Sequence, residues 1–396
     1  SGSGKFMERY YVGYNHKSIG DCGSTTVCVE GISMLAAKAL QDWRLYNGQE
    51  SSTRYVDFKD QPIMDPAKTP TSRAIQDRWM EFYFAAQEPV RAHLREKYPK
   101  KETEKEDVWE RAIVARSFDI LRGFLPAGAT TNVAWHTNLR QAADHLSLLN
   151  HHPLPEVWVM ASELFRALKS RYPHSFGDKR YPKTEEFKSR AKGQHAYFNP
   201  ETWTKKPTIE SFLREADLKQ YEDHIKNRPE KTELLPIVSE CGDVRSKFLL
   251  DFGSFRDLQR HRSLLMPMPL LGTRFGFNAW YLESLPEKVR EQAVKLLSEQ
   301  EKAIEALDAS SALKQYYVAM GYNVPIQITG GLPAFTYVLE LRSGTTVHPT
   351  LRKVAQEVAS DMQKLLPNVA LYPDLSLDDW DTRRGNQTIT EKPQTV

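Results

Sequence analysis

The sequence predicts an α+β chain of two tandem, similarly ordered domains, each helix-rich with a small sheet. Three observations predict it. Long segments space apolar residues three to four apart with Glu, Lys and Arg between them, and short β-branched runs such as Thr25-Thr26-Val27 stand beside them. Composition shifts over residues 174–235, which are rich in charge, proline and aromatics and poor in long periodicity. The same order of features then recurs on both sides of that stretch. The expected boundaries are a first domain over 7–173, a charged linker with short helices over 174–235, a second domain over 236–375 and a tail over 376–396.

Residues 25–46 begin as a strand and continue as a helix that stops near Trp43, and "NGQESST" around Gly48 is a loop. Helices are predicted over 72–98 and 104–123, the second ended by Pro126, and then over 131–149 and 155–172. The linker carries short helices such as 209–226. Beyond Gly242 come a helix through 246–262, a loop with Met266-Pro267-Met268-Pro269, a long charged helix over 285–308 and another over 310–320. Final helices fall near 332–341 and 346–366, and the tail after Leu375 is expected to be loosely ordered. In this layout 29–44 sits beside 249–262, and 122–149 beside 321–342. Two helical domains alike only by coincidence are the alternative.

The 396 residues give room for two cores. A net charge of +3 is too small to argue for nucleic acid, and no apolar run reaches the roughly 18 residues of a membrane span. No signal peptide is visible, and "SGSGKF" before Met7 reads as an appended sequence or a cut natural end. Cys22, Cys28 and Cys241 are odd in number and lack metal spacing, so a reduced, cytoplasmic protein without a metal is expected.

Candidate chemistry gathers at a few places. Glu50, Ser52, Arg54 and Tyr55 put an anion, a hydroxyl, a cation and a phenol into six residues, which suits phosphate and equally a solvated loop. Arg122 closes a helix three residues before Leu125-Pro126, where a C-capping arginine is the plainer reading. Asn138 and Arg140 lie two apart on a predicted helix and so diverge by about 200°. His151-His152-Pro153 reads as a turn. Arg260-His261-Arg262 sits between an apolar helix and "LLMPMPLL", with Asp257 as the nearby acid. A solvated helix end explains it, or else half-buried cations that need an anionic ligand such as a pyrophosphate or a flavin pyrimidine edge.

Together these residues resemble the flavin-dependent thymidylate synthases. That family carries an Arg-His-Arg triplet followed by a Ser loop and Arg-Tyr, a Gly-His-x-Ser/Thr segment, an "EGISR"-like helix, Arg-x-x-Leu-Pro, Asn-x-Arg and a late Arg. Over about 150 residues the first half is similar: His16 and Ser18 in "NHKSIGD", "VEGIS" at 29–33, then Glu50, Ser52, Arg54, Tyr55, Arg122, Asn138 and Arg140. Asn15 replaces the family glycine, and Asp42-Trp43-Arg44 stands at the triplet, so only Arg44 survives there. The late Arg falls at Leu149. The second half keeps Arg260-His261-Arg262 and Arg342, but has Leu270 for the Ser, Gly331 for the Asn and no suitable Arg before Val324-Pro325.

The resemblance implies reductive methylation of dUMP to dTMP, with methylenetetrahydrofolate as carbon donor and electrons from NADPH through FAD. It implies catalytic roles for His261 and Arg342, substrate binding by Arg44, Glu50, Ser52, Arg54, Tyr55 and Arg122, and cofactor binding by His16, Ser18, Asn138, Arg140, Arg260, His261 and Arg262. It also implies a homodimer that imitates a four-repeat tetramer, with no membrane or nucleic-acid partner. A pyrimidine nucleotide hydroxymethylase and a non-catalytic flavin or nucleotide binder are the alternatives.

Overall fold

The computed structural model describes residues 2–13, 17–53, 58–177, 180–201, 203, 205–377 and 380. The residues set aside at the start are helical over Ser3–Phe6 and run directly into a helical turn over Met7–Gly13. In the first half, strand β1 (Ser24–Ser33) leads into helix α1 (Met34–Gln41), and β2 (Asn47–Glu50) follows. Gly31 adopts φ +66° where the β1 register shifts between Val29 and Ile32. Only glycine takes that conformation cheaply, so the "EGIS" motif is a bulge that delivers Ser33 to cap α1, its side chain accepting from the Ala36 amide.

Helices α2 (Pro70–Ala85), α3 (Gln87–Lys97) and α4 (Glu106–Leu121) come next. The predicted helix over 131–149 is in fact strand β3 (Thr130–Asn138) followed by α5 (Leu139–Leu149). Thr131, Val133, Trp135 and Thr137 are buried in alternation, the period of a strand, and β3 pairs antiparallel with both β1 and β2. Helix α6 (Pro155–Arg171) completes the half.

The expected linker is more structured than its composition implied. It holds α7 (Pro182–His195), and its β4 (Thr208–Ser211) is an edge strand of the second sheet, pairing with β5 (Asp243–Asp251). The helix predicted through 246–262 is therefore β5 and only a short helix, α8 (Phe252–Leu258), before the triplet. Helix α9 (Glu287–Ala306), strand β6 (Asn323–Gly331), α10 (Leu332–Arg342) and α11 (Pro349–Leu365) follow, and β6 pairs with β5. In the tail Trp380 is buried, at 8% exposure, while Leu375 and Leu377 stand exposed.

The two halves repeat closely. Strands β3 and β6 both span 9 residues, α5 and α10 both span 11, and α6 and α11 both span 17. This register places 122–149 beside 315–342, not beside 321–342. Leu125-Pro126 thus answers to Val318-Ala319, and Gln315 stands where the first half has Arg122.

The halves meet through those equivalent segments. Pro126 bridges Ala319, and the backbone bonds are reciprocal. Ala127 N–H donates to Val318 O (2.9 Å) and Met320 N–H to Leu125 O (2.8 Å); Gly128 N–H donates to Tyr316 O (2.9 Å) and Gly321 N–H to Gly123 O (2.7 Å). Such reciprocity is the mark of a contact about a two-fold axis. A Cβ on Gly128 would come within 2.8 Å of Tyr316 O, and one on Gly321 within 2.8 Å of Gly123 O, so both glycines permit the close approach. Among the described residues no helix is long and apolar enough to cross a membrane.

Candidate functional site

The triplet is not part of a helix. Asp251 caps α8 by accepting from Ser254 N–H, and the helix ends at Leu258. His261 N–H then bonds Leu258 O (3.1 Å), Leu264 N–H bonds His261 O (3.2 Å), and Leu265 is pinned to Thr329 on β6. The resulting turn splays three neighbouring cations that would repel one another if parallel.

Arg260 points outward and lies 3.5 Å from Asp257. His261 turns inward and is 9% exposed. Its Nε2 accepts from Arg342 Nε at 2.6 Å, and Arg342 Nη2 also donates to Asp257 O at 2.9 Å. The imidazole therefore carries its proton on Nδ1. Burial, with Arg342, Arg262 and Arg260 around it, pulls its pKa down to about 3, so it is neutral at physiological pH. Arg262 lies over the Tyr46 ring from the first half (4.8 Å), and burial lowers its pKa too.

Arg122 crosses from the first half into this cluster. It is 8% exposed, so the capping arginine is not a surface one. Its Nη2 donates to Ser254 Oγ (2.9 Å) and its Nη1 stands 3.6 Å from Asp257. Desolvation alone would raise the Asp257 carboxyl, yet Arg122, Arg260, Arg342 and Arg256 hold it below the usual range. Around the triplet, five guanidiniums (Arg122, Arg256, Arg260, Arg262, Arg342) thus face four carboxylates: Asp257, Glu50 and, about Arg122, Asp251 and Asp119. Buried nitrogens without a hydrogen-bond partner include the Nε atoms of Arg122, Arg256 and Arg262. A surplus of desolvated donors fits a group rich in anionic or carbonyl oxygens.

A cleft of about 220 Å³ opens beside the cluster, lined by Trp43 and Arg44 of the first half and His261, Arg262 and Met266 of the second. The remnant Asp42-Trp43-Arg44 and two members of the triplet, His261 and Arg262, therefore share one cleft within a single chain. Arg44 is exposed at its edge.

Other predicted positions fall elsewhere. Glu50 is ion-paired with Arg256 and accepts from Gln41 Nε2 (2.8 Å), which ties it into the seam between the halves. Asn138 is not on the side of a helix; it caps α5, its Oδ1 accepting from Gln141 N–H at 2.8 Å. The expected divergence from Arg140 thus does not arise from helix geometry. Arg140 pairs with Asp21 at 2.8 Å, and Ser18 is exposed nearby in sequence. Ser52 is partly buried just after β2. Among the described residues no hydrogen bond or ion pair of Ser18, Asn138 or Arg140 reaches the triplet. His16, Arg54 and Tyr55 lie outside the described residues.

Sequence reasoning passed over Ser254, Arg256 and Tyr46. Arg256 and Asp257 stand four and three residues before Arg260, so a helical wheel would have grouped them. The partnership with Tyr46 depends on the meeting of the halves and has no local signal. All three cysteines are free thiols, and among the described residues no group of three or more His, Cys, Asp or Glu is placed to hold a metal.

Residues 3–174 match the family model described as thymidylate synthase complementing protein. Along nearly its whole length the chain is similar to a UPF0159 protein of Chlamydia pneumoniae, 26% identical over 98% of this chain and 84% of that one. A UPF0159 protein of Chlamydia muridarum is 25% identical over 91% and 79%, and one of Thermoplasma acidophilum 22% identical over 92% and 87%. Residues 3–174 are thus similar to the thymidylate synthase complementing protein family, and the second half of the chain repeats the layout of the first.

Proposed function

We propose that the chain is a flavin-dependent thymidylate synthase that methylates dUMP reductively to dTMP, using methylenetetrahydrofolate and NADPH with FAD as cofactor. The observation that carries this reading is the convergence of Arg122 from the first half with Arg260, His261 and Arg342 from the second around Asp257. Arg260, His261 and Arg262 would hold a flavin pyrimidine edge or pyrophosphate, and of these Arg262 carries a buried, unpartnered Nε donor. When bound, the flavin supplies the electron pair drawn from NADPH.

The chain's own groups do the rest. Arg122 fixes the nucleotide phosphate, with Ser254 and Asp257 holding its guanidinium in place. Arg342 sets positive charge where negative charge develops on the uracil carbonyls, which makes C5 the better nucleophile. Neutral His261 offers an Nδ1–H donor, while Arg342 holds its other nitrogen. Ser52, Arg54, Tyr55 and Arg44 complete the nucleotide loop in this reading, and Glu50 orients that loop through Arg256. Because Ser18, Asn138 and Arg140 make their contacts away from the triplet, a second copy of the chain supplies the His16, Ser18, Asn138 and Arg140 side of each flavin site. A homodimer is the functional unit.

The test is product analysis after incubation with dUMP, methylenetetrahydrofolate, NADPH and FAD. The reading expects dTMP, and His261→Ala should abolish it. Hydroxymethyl-dUMP in its place would make the chain an altered-substrate relative. A second reading has two observations in its favour: Glu50 is locked to Arg256, and Leu270 replaces the loop serine. A chain that binds flavin or nucleotide without turnover would keep these locks. Flavin that stays oxidised under NADPH with dUMP present would favour that reading.

A further inference from the structure

The strand-to-helix junctions of the two halves carry the same buried pair in exchanged order. In the first half the cap of α1 is a hydroxyl, Ser33, and the second residue of α6 is a carboxylate, Glu156. Ser33 Oγ donates to Glu156 Oε2 (2.6 Å), Ser33 N–H to Oε1 (2.8 Å), and Tyr316 OH to Oε2 (2.7 Å). In the second half the cap of α8 is the carboxylate, Asp251, and the second residue of α11 is the hydroxyl, Thr350. Thr350 Oγ1 donates to Asp251 Oδ2, and Tyr281 OH to Oδ1 (2.7 Å). Each pair fastens a helix cap to a neighbouring helix, and that structural task needs no further partner.

Only the second junction is joined to a cation. Ser254 follows its cap by three residues, where the first half has Ala36. Arg122 Nη2 reaches Ser254 Oγ (2.9 Å), whereas Gln315, at the matching place, turns to Leu271 N–H and Ala312 O. Asp251 and Ser254 are fully buried and Thr350 is 4% exposed.

The hydroxyl hydrogens fix a direction along this contact. A carboxylate only accepts, so the single hydroxyl hydrogen of Thr350 goes to Asp251. In the 2.7 Å contact between Ser254 and Thr350, Ser254 is therefore the donor. His348 Nδ1, at 3.2 Å, is the longer alternative for that hydrogen, and its ring turns Nε2 to Asp119 O. Either way the Ser254 hydrogen points away from Arg122 and a lone pair faces the guanidinium. Bonds that run one way, from Arg122 through Ser254 and Thr350 to Asp251, polarise one another. Burial would strip Arg122 of its charge, but Tyr281, Asp257, Asp251 and Asp119 together keep it protonated. Its Nε is left without a partner.

We infer that Asp251 and Thr350 are positioning residues for the nucleotide phosphate. They orient the Ser254 hydroxyl so that it anchors one edge of Arg122 and leaves the Nε donor for the ligand. This rests on Arg122 gripping the phosphate, as proposed above, and extends the site into the cap of α8 and the first turn of α11.

The experiment is a double-mutant cycle in the full chain. Equilibrium titration gives dUMP affinity, and dTMP formation gives kcat and KM. Thr350→Val keeps the shape and removes the hydroxyl. It should raise the dUMP dissociation constant and KM by about fivefold or more while kcat changes by less than about twofold. Thr350→Ser restores the donor and should restore the affinity. In an Arg122→Ala background Thr350→Val should change dUMP affinity by less than about twofold, because no guanidinium is left to position. Glu156→Gln weakens the matching pair of the first half; it should lower the melting temperature and leave dUMP affinity unchanged. Tyr281→Phe removes another donor to Asp251 and takes the place of Thr350→Val if that variant does not fold, with the same expectation. Unchanged affinity in the substituted second junction, an equal loss with and without Arg122, or an equal loss in Glu156→Gln would overturn the inference. A wild-type chain that does not bind dUMP would overturn the nucleotide reading itself, and the positioning role with it.

Discussion

Three buried histidines set the stability of this chain against acid. Burial lowers the pKa of His145 to about 4, of His152 to about 3 and of His261 to about 3, from an ordinary value of 6.5. In the unfolded chain each takes a proton near 6.5; in the folded chain each resists it. The unfolded state therefore binds more protons below that pH, so stability is complete above about 6.5 and is lost as pH falls toward the folded values. At pH 5 each histidine has forfeited about 2 kcal/mol, at roughly 1.4 kcal/mol per unit, and together about 6 kcal/mol. That is comparable to the whole stability of many domains, about 5–15 kcal/mol. The assay is urea unfolding at several pH values from 7 down to 5, with stability plotted against pH. The slope near pH 5.5 should correspond to uptake of three protons, and His145→Gln should reduce it to two. A loss of less than about 1 kcal/mol between pH 7 and 5 would refute the reasoning.

Lys38 is fully buried; among the described residues its Nζ has no hydrogen-bond partner and lies 4.8 Å from the Phe255 ring. Burial lowers its pKa to about 8, a cost of about 3 kcal/mol that is present below pH 8 and relieved as pH rises toward 10.5. Lys38→Met should therefore raise the melting temperature at pH 7, with little change at pH 10.5, as read by thermal melts. Arg122→Ala should weaken dUMP binding by about tenfold to a hundredfold through loss of charged hydrogen bonds, while flavin binding survives. Loss of flavin with dUMP binding intact, measured by equilibrium titration of each, would reverse the assigned roles. Arg342→Ala frees His261 Nε2 from its donor and should depress turnover far more than dUMP affinity, which steady-state kinetics separates.

The helices were legible because α2, α4, α6 and α11 each present a periodic apolar face. Strands β3 and β5 were misread although their alternation is in the sequence. Val244, Ser246, Phe248 and Leu250 are buried in turn, and the neighbouring apolar residues of α8 blurred the period into one helix. Strand β4 was hidden in a polar stretch because its pairing comes from β5 and not from its own residues. In the site, the triplet and Arg342 were visible from motif alone. That Arg122 reaches Ser254 across the seam was not, because 132 residues separate the two and only the reciprocal packing of the halves brings them together. The same packing explains why Glu50, read as a ligand, is held by Arg256.

The central claim is that one chain joins nucleotide and flavin contacts from its two halves. The most direct measurement is titration of dUMP into the purified, FAD-loaded protein while the flavin absorption spectrum is followed. The account predicts a saturable perturbation of the flavin bands that disappears in Arg122→Ala. A flavin spectrum indifferent to saturating dUMP would contradict it.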